Sequence, residues 1–186
     1  MDHREINRRI RQLIRELLAM PENSIRPANQ NAPTGNIDEQ FATVLVTIIE
    51  PTGEDGREYI DQPGPAKQIT ERVLGQRLVS ASVNFYRGDA VTKAMRLPAL
   101  LSSGLAAEKM QALGLGFVRT KGPRNLTALV DTLWEERGQI DIDFHIIAIE
   151  DVTLNTYGTF PVAVDTAVKN PDGSFKPPQA FEVQEP

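Results

Sequence analysis

The chain has 186 residues, a formal net charge of −5 and 40% hydrophobic residues, enough apolar material to fill the core of one globular unit. It contains no cysteine and two histidines, which excludes disulfides, thiolate metal sites and cysteine nucleophiles and leaves little room for histidine chemistry. The acidic balance argues against a domain that grips duplex DNA by neutralising phosphates. The N-terminus is too charged for a secretory leader and no apolar run approaches the roughly 20 residues that span a bilayer, so the expectation is a soluble protein of the cytoplasm with no membrane partner.

Residues 1–20 are expected to form an amphipathic helix. Ile6, Ile10, Leu13, Ile14, Leu17 and Leu18 recur with helical spacing on one face. Arg4, Arg8, Arg11 and Arg15 fall on a second stripe roughly opposite. That stripe is either a solvated outer face or a docking face for an acidic partner or DNA; a membrane-surface helix would want Trp, Phe or Lys, which this segment lacks. Pro21 ends the helix, and residues 21–40, rich in Pro, Asn and Gly, read as an extended arm. FATVLVTIIE, from Phe41 to Glu50, is apolar on both parities and predicts a central strand covered on both sides. Pro51 closes it, PTGEDG is a hairpin-type turn into REYIDQ, and DQPGPAKQ is a loop.

Arg77 to Arg87 alternates. Val79, Ala81, Val83 and Phe85 make one apolar side, opposite Leu78, Ser80, Ser82, Asn84 and Tyr86. The strand ends in Arg87-Gly88-Asp89, a tripeptide better explained by Asp89 as the N-cap of the helical AVTKAMRL than by integrin recognition. Pro98 should kink or end that helix. A second helix spans Leu105 to Gly114 with glycine at its C-cap, followed by a short strand LGFVRT, a turn KGPRN and a bend from Leu126 to Val130.

The segment 131–151, DTLWEERGQIDIDFHIIAIED, reads as one strand. Its even positions, Trp134, Glu136, Gly138, Ile140, Ile142, Phe144 and Ile146, are apolar apart from Glu136; its odd positions are polar through His145, after which both faces are apolar, as for a half-covered strand running into a fully buried one. Glu136 needs a hydrogen-bonding partner or cover from another subunit, and Gly138 beside it permits a close backbone approach or a bulge. Asp141, Asp143 and His145 share one face and could supply part of a hard-cation site, but spacing alone is weak evidence and a polar sheet face or subunit contact is the favoured explanation. Beyond Asp151, TYGTFPVAVDT suggests an edge strand because of Pro161. The expected organisation is one α+β domain over 1–165 (helix 1–20, arm 21–40, core 41–165) and a proline-rich tail over 166–186. No nucleotide-binding glycine loop, zinc-protease helix or nucleophile elbow is present, and the Asn125-Leu126-Thr127 sequon reads as coincidence.

FYRGDA at 85–90 and LTALVDTLWEERGQID at 126–141, with the order of elements around them, resemble the neck or tail terminator proteins of tailed bacteriophages over about residues 40–150. Gly138 stands where alanine is expected in that pattern. The resemblance implies an α+β fold with a mixed, mainly antiparallel sheet and helices packed on one side. It implies a structural virion protein without enzymatic activity or cofactor: a homohexameric ring at the neck that caps the tail tube, fixes tail length, meets the head–tail connector and lets genomic DNA pass without specific binding. Ring assembly needs two complementary patches per subunit. The expected interface residues are Glu135, Glu136, Arg137 and Asp141 on the strand, and Arg4, Arg8, Arg11 and Arg15 on the helix. Two other functions are a connector or stopper ring of the same neck, and a small metal-dependent hydrolase using Asp141, Asp143 and His145.

Overall fold

In the computed structural model, which describes residues 2–28, 40–61, 68–130 and 132–155, the side chain of Asp2 caps α1 (His3–Leu18) by accepting from the Arg4 amide. Ala19, in the left-handed conformation with φ 50°, closes the helix just before Pro21. Ile6, Ile10, Leu13 and Ile14 are fully buried along it, as their spacing predicts. A single 3₁₀ turn at Glu22–Ser24 then delivers β1 (Ile25–Pro27), which lies parallel to β2 (Phe41–Pro51) with Ile25 opposite Ala42. Part of the expected arm is therefore a strand. Ile25 is buried, and the Ala28 amide donates to the Val44 carbonyl at 2.9 Å, so this stretch gains a sheet partner that its composition does not advertise.

The remaining elements are β3 (Gly56–Asp61), β4 (Gln68–Tyr86), α2 (Ala90–Leu101), α3 (Gly104–Leu113), β5 (Gly116–Asn125), β6 (Ala128–Val130), β7 (Leu133–Glu135) and β8 (Arg137–Asn155). The main sheet runs β1-β2-β4-β8-β5 and is mixed but mostly antiparallel, while β6 and β7 form a separate two-stranded ribbon. One sheet face, carrying Val44, Val83, Phe85, Ile142 and Phe144, shares a single core with α1, α2 and α3, each large side chain there contributing about 1.5–3 kcal/mol by leaving water. The fold is α+β, as expected.

Several local expectations are corrected. β2 is covered on the helix side, where Ala42, Val44 and Val46 are buried, whereas Thr43 and Leu45 are half-buried and Ile49 is exposed after a register shift between Val46 and Ile48. REYIDQ does form a strand, β3, but it pairs with β4 rather than folding back on β2. β4 begins nine residues before the expected Arg77. Pro98 sits inside α2 without ending it. The last turn survives because Leu97 and Leu101 are anchored in the core and the Ser102 amide and hydroxyl both donate to the Pro98 carbonyl, at 3.3 and 3.1 Å. KGPRN is no turn but part of β5, where edge position and a bulge between Lys121 and Arg124 accommodate Pro123. The stretch 131–151 is broken at Glu136 into β7 and β8.

The chain divides into two compact units. The first, Met1–Glu58 with Val73–Glu150, holds the three helices and the core. The second comprises Tyr59–Arg72 and Asp151–Pro186; within it Arg72 grips Asp151 through two hydrogen bonds of 2.8 and 2.9 Å, and the Tyr59 hydroxyl donates to Glu71 at 3.2 Å. Most of the expected arm (residues 29–39), most of the loop after β3 (62–67), the expected edge strand at Pro161 and the tail 166–186 lie outside the described residues.

Candidate functional site

The sheet face turned away from the helices carries a ladder of polar side chains drawn from β4, β8 and β5. Gln139 donates to the Ser82 hydroxyl at 2.8 Å, Arg137 donates to the Asn84 side chain at 3.3 Å, and the Ser80 hydroxyl donates to Asp143 at 2.5 Å. Arg137 also stacks over the Tyr86 ring, 4.9 Å from its centroid, and Tyr86 in turn stacks on Phe41 at 4.5 Å. Asp143, only 1% exposed, accepts a second bond of 2.7 Å from Arg119 on β5. Burial pushes the Asp143 carboxyl up, but the Ser80 and Arg119 hydrogen bonds outweigh it and hold the group below its ordinary value. Asp141 accepts from Arg124 at 3.2 Å. Both aspartates are therefore held by cations of the neighbouring strand, His145 points to solvent, and among the described residues no three His, Asp or Glu side chains gather where they could hold a metal.

Glu136 finds its partner inside the fold. Its carboxylate accepts from the Val91 amide at 2.9 Å, in the first turn of α2, and its carbonyl accepts from the Arg87 amide at 2.7 Å. An acid at a helix N-terminus satisfies an orphan donor and suits the helix dipole. Asp89, the expected cap, does not make that bond; it pairs with Lys93 one turn on. The close approach explains Gly138: a Cβ there would lie 2.5 Å from the Ala90 carbonyl oxygen and 3.0 Å from the Val91 Cα. Arg87 and Gly88 turn the chain from β4 into α2 with φ of 66° and 57°, the left-handed region that glycine enters freely and arginine does not.

Glu135, at the end of β7, is 4.0 Å from Arg87. The ribbon it closes pairs Leu129 with Trp134 and Val130 with Leu133. Trp134, on the parity read as apolar, is 74% exposed and Leu133 beside it 76%, with Leu129 and Val130 also in water. At the other end of β8 the expected fully buried stretch is likewise open. β5 begins at Gly116 opposite His145, so β8 runs on past it, and Ile147 and Ile149 are 54% and 50% exposed. They border a groove of about 670 Å³ that also includes Leu115, Gly116, Gln76 and Arg9. Sequence reasoning missed both patches; Leu129-Val130 and Leu133-Trp134 flank Asp131-Thr132, which is not one of the usual two-residue hairpin pairs, so the ribbon carries no strong turn signal.

On α1, Arg8 is clamped by Glu5 at 2.8 and 2.7 Å, and Arg9 donates to the same carboxylate at 2.8 Å. These hydrogen bonds from Arg8 and Arg9 hold the Glu5 carboxyl at about 2. Arg11 is half-buried and donates to Asn7 at 2.9 Å; burial, then the neighbouring Arg8, lower its pKa. Arg15 lies 3.8 Å from Glu22. Arg8, Arg11 and Arg15 line one hollow of about 350 Å³ with Gln12, Glu22 and Ile25, while Arg4 is exposed at the helix start.

A family profile described as phage neck terminator protein matches residues 4–173. The chain belongs to the phage neck terminator family. The match takes in α1 and the start of the proline-rich tail, both outside the span over which the resemblance was carried by motifs. A comparison with curated proteins finds no match. A neck terminator is a structural protein of the phage neck and works in association with other tail and neck proteins. Among the described residues no helix is long and apolar enough to cross a membrane.

Proposed function

We propose that this neck terminator assembles as a hexameric ring that caps the tail tube, fixes tail length and offers the surface to which the DNA-filled head attaches. The observation that carries the reading is family membership over residues 4–173 in a chain whose first unit leaves Leu133 and Trp134 about three-quarters exposed, a surface that monomeric proteins seldom leave open. Glu135, Arg137 and Asp141 face a neighbouring subunit or the channel, and the Arg4–Arg15 stripe lies outside or against an adjoining ring. With a net charge of −5 per chain, a lumen of this protein repels phosphates, so the genome passes without sticking.

The test is the native mass of the purified protein by light scattering across a concentration series, with negative-stain images of the same samples. Rings of about six subunits with a central hole support the reading. A monomer at every concentration, including in the presence of tail tubes, overturns it. Co-purification with headless tails rather than tailless heads separates a terminator from a connector or stopper ring.

A further inference from the structure

The two open apolar patches of the first unit lie at opposite ends of one strand. The β6–β7 hairpin enters β8 at Arg137, and the groove beside Leu115 and Gly116 is bordered by Ile147 and Ile149, roughly 30 Å further along at the rise of an extended chain. One patch is a two-stranded ribbon whose Leu133 and Trp134 are exposed and the other is a groove. Charge agrees as well: the groove contains Arg9, while the hairpin carries Glu135. We propose that the hairpin of one copy seats in the groove of a second copy, through Leu133 and Trp134 against Ile147 and Ile149.

This assignment rests on the ring reading and deepens it by naming the two halves of the contact. Different patches on the two partners make the contact heterologous, and heterologous contacts generate rings or filaments rather than closed pairs. Tryptophan is favoured at the centre of such contacts because one side chain excludes a large area of water with little loss of rotamer freedom. Both patches are exposed in the monomer, so neither is needed to fold it.

Trp134 is the only tryptophan in the chain, which makes its emission a direct reporter of hairpin burial. Two variants of the full-length protein, Trp134→Glu and Ile147→Glu, are each examined by light scattering and circular dichroism, alone and mixed in equal amounts. Each variant alone is expected to keep the wild-type circular dichroism and to lose the ring. A single contact without ring closure is weak, so the mixture is expected to reach heterodimers at the top of a concentration series and to stop there, because it retains one intact hairpin and one intact groove per pair. Only on mixing should the emission shift to the blue, since Trp134→Glu has no tryptophan and the signal comes from Ile147→Glu alone. Wild-type rings accompanied by rings of either variant, a mixture that stays monomeric, or no spectral shift overturns the seating and leaves the ring intact. A Trp134→Glu variant that still forms rings but no longer joins tail tubes assigns the hairpin to another neck protein, against the proposal. Wild-type protein that never oligomerises overturns the ring reading itself.

Discussion

Substituting Gly138 by alanine tests whether the junction between β8 and α2 is as tight as its distances imply. The added Cβ would meet the Ala90 carbonyl oxygen at 2.5 Å, the Ala90 carbonyl carbon at 2.9 Å and the Val91 Cα at 3.0 Å. All three are backbone atoms, so no side chain can swing aside, and α2 must withdraw by roughly 0.5–1 Å to restore ordinary contact. That movement stretches the 2.9 Å bond from the Val91 amide to Glu136 and loads the 2.7 Å bond from the Arg87 amide. Overpacking costs about 1–3 kcal/mol and a weakened cap about 1 kcal/mol, giving a loss of about 2–4 kcal/mol in urea unfolding. The Glu136→Ala substitution alone should cost about 1 kcal/mol. In the Gly138→Ala background it should cost clearly less, because the cap is already displaced. A Gly138→Ala protein within about 0.5 kcal/mol of wild type, or full additivity with Glu136→Ala, would refute the argument.

Asp143→Ala should destabilise the protein by about 2–3 kcal/mol in the same assay, because it strands the buried Ser80 hydroxyl; the largely exposed Arg119 adds little, as it can turn to water. Arg137→Glu, a charge reversal at the proposed assembly face, should also lower monomer stability by about 1–2 kcal/mol, since it removes the stacking on Tyr86 and the bond to Asn84; a monomer melting like wild type contradicts that. Glu5, Glu16, Asp55, Asp89, Asp143 and Asp151 are all held below their ordinary values in the folded chain. A depressed folded-state pKa contributes stability above the unfolded value and loses it as pH falls through the folded one. The transition midpoint should therefore fall steadily from about pH 4.5 toward pH 2, the interval given by Glu5, and the part due to exposed pairs should shrink in high salt.

Periodicity alone located α1 and the apolar side of β4, because Ile6 to Leu18 and Val79 to Phe85 keep strict spacing. Pairing was not legible. REYIDQ reads as a strand, but that it joins β4 instead of β2 depends on the length of β4, half of which alternates weakly. The parity of 131–151 was read correctly from Ile140 to Phe144, yet parity cannot distinguish one strand from two separated by a single residue. The break at Glu136 puts Trp134 in a ribbon of its own, in water. Glu136 was rightly singled out as a carboxylate in need of a partner, but the partner, a helix amide 45 residues upstream, is visible only in three dimensions. The apolar run after His145 carried no sign of whether its own domain covers it, since hydrophobicity records that a surface wants cover and is silent on where the cover comes from.

The polar ladder constrains where assembly energy can come from. Gln139, Asp143 and Asp141 are occupied by Ser82, Ser80, Arg119 and Arg124 of the same subunit, and Arg137 is held to Asn84 with its Nε buried and unpartnered, so a neighbour meeting this face would mostly exchange existing hydrogen bonds for new ones with little net gain. Leu133 and Trp134 have no such engagement, and covering about 300 Å² of them would contribute about 7 kcal/mol at 25 cal/mol per Å². Association costs of about 4–15 kcal/mol absorb most of that, which leaves a single hairpin-in-groove contact marginal. Closure changes the balance, because every subunit of a ring holds two contacts and leaving it breaks both. Open chains of two to five subunits keep two unmatched ends and gain less per subunit. On the proposed seating, a contact of this strength favours monomers and closed rings over open chains, and closure waits for a higher concentration or a tail tube that aligns neighbours.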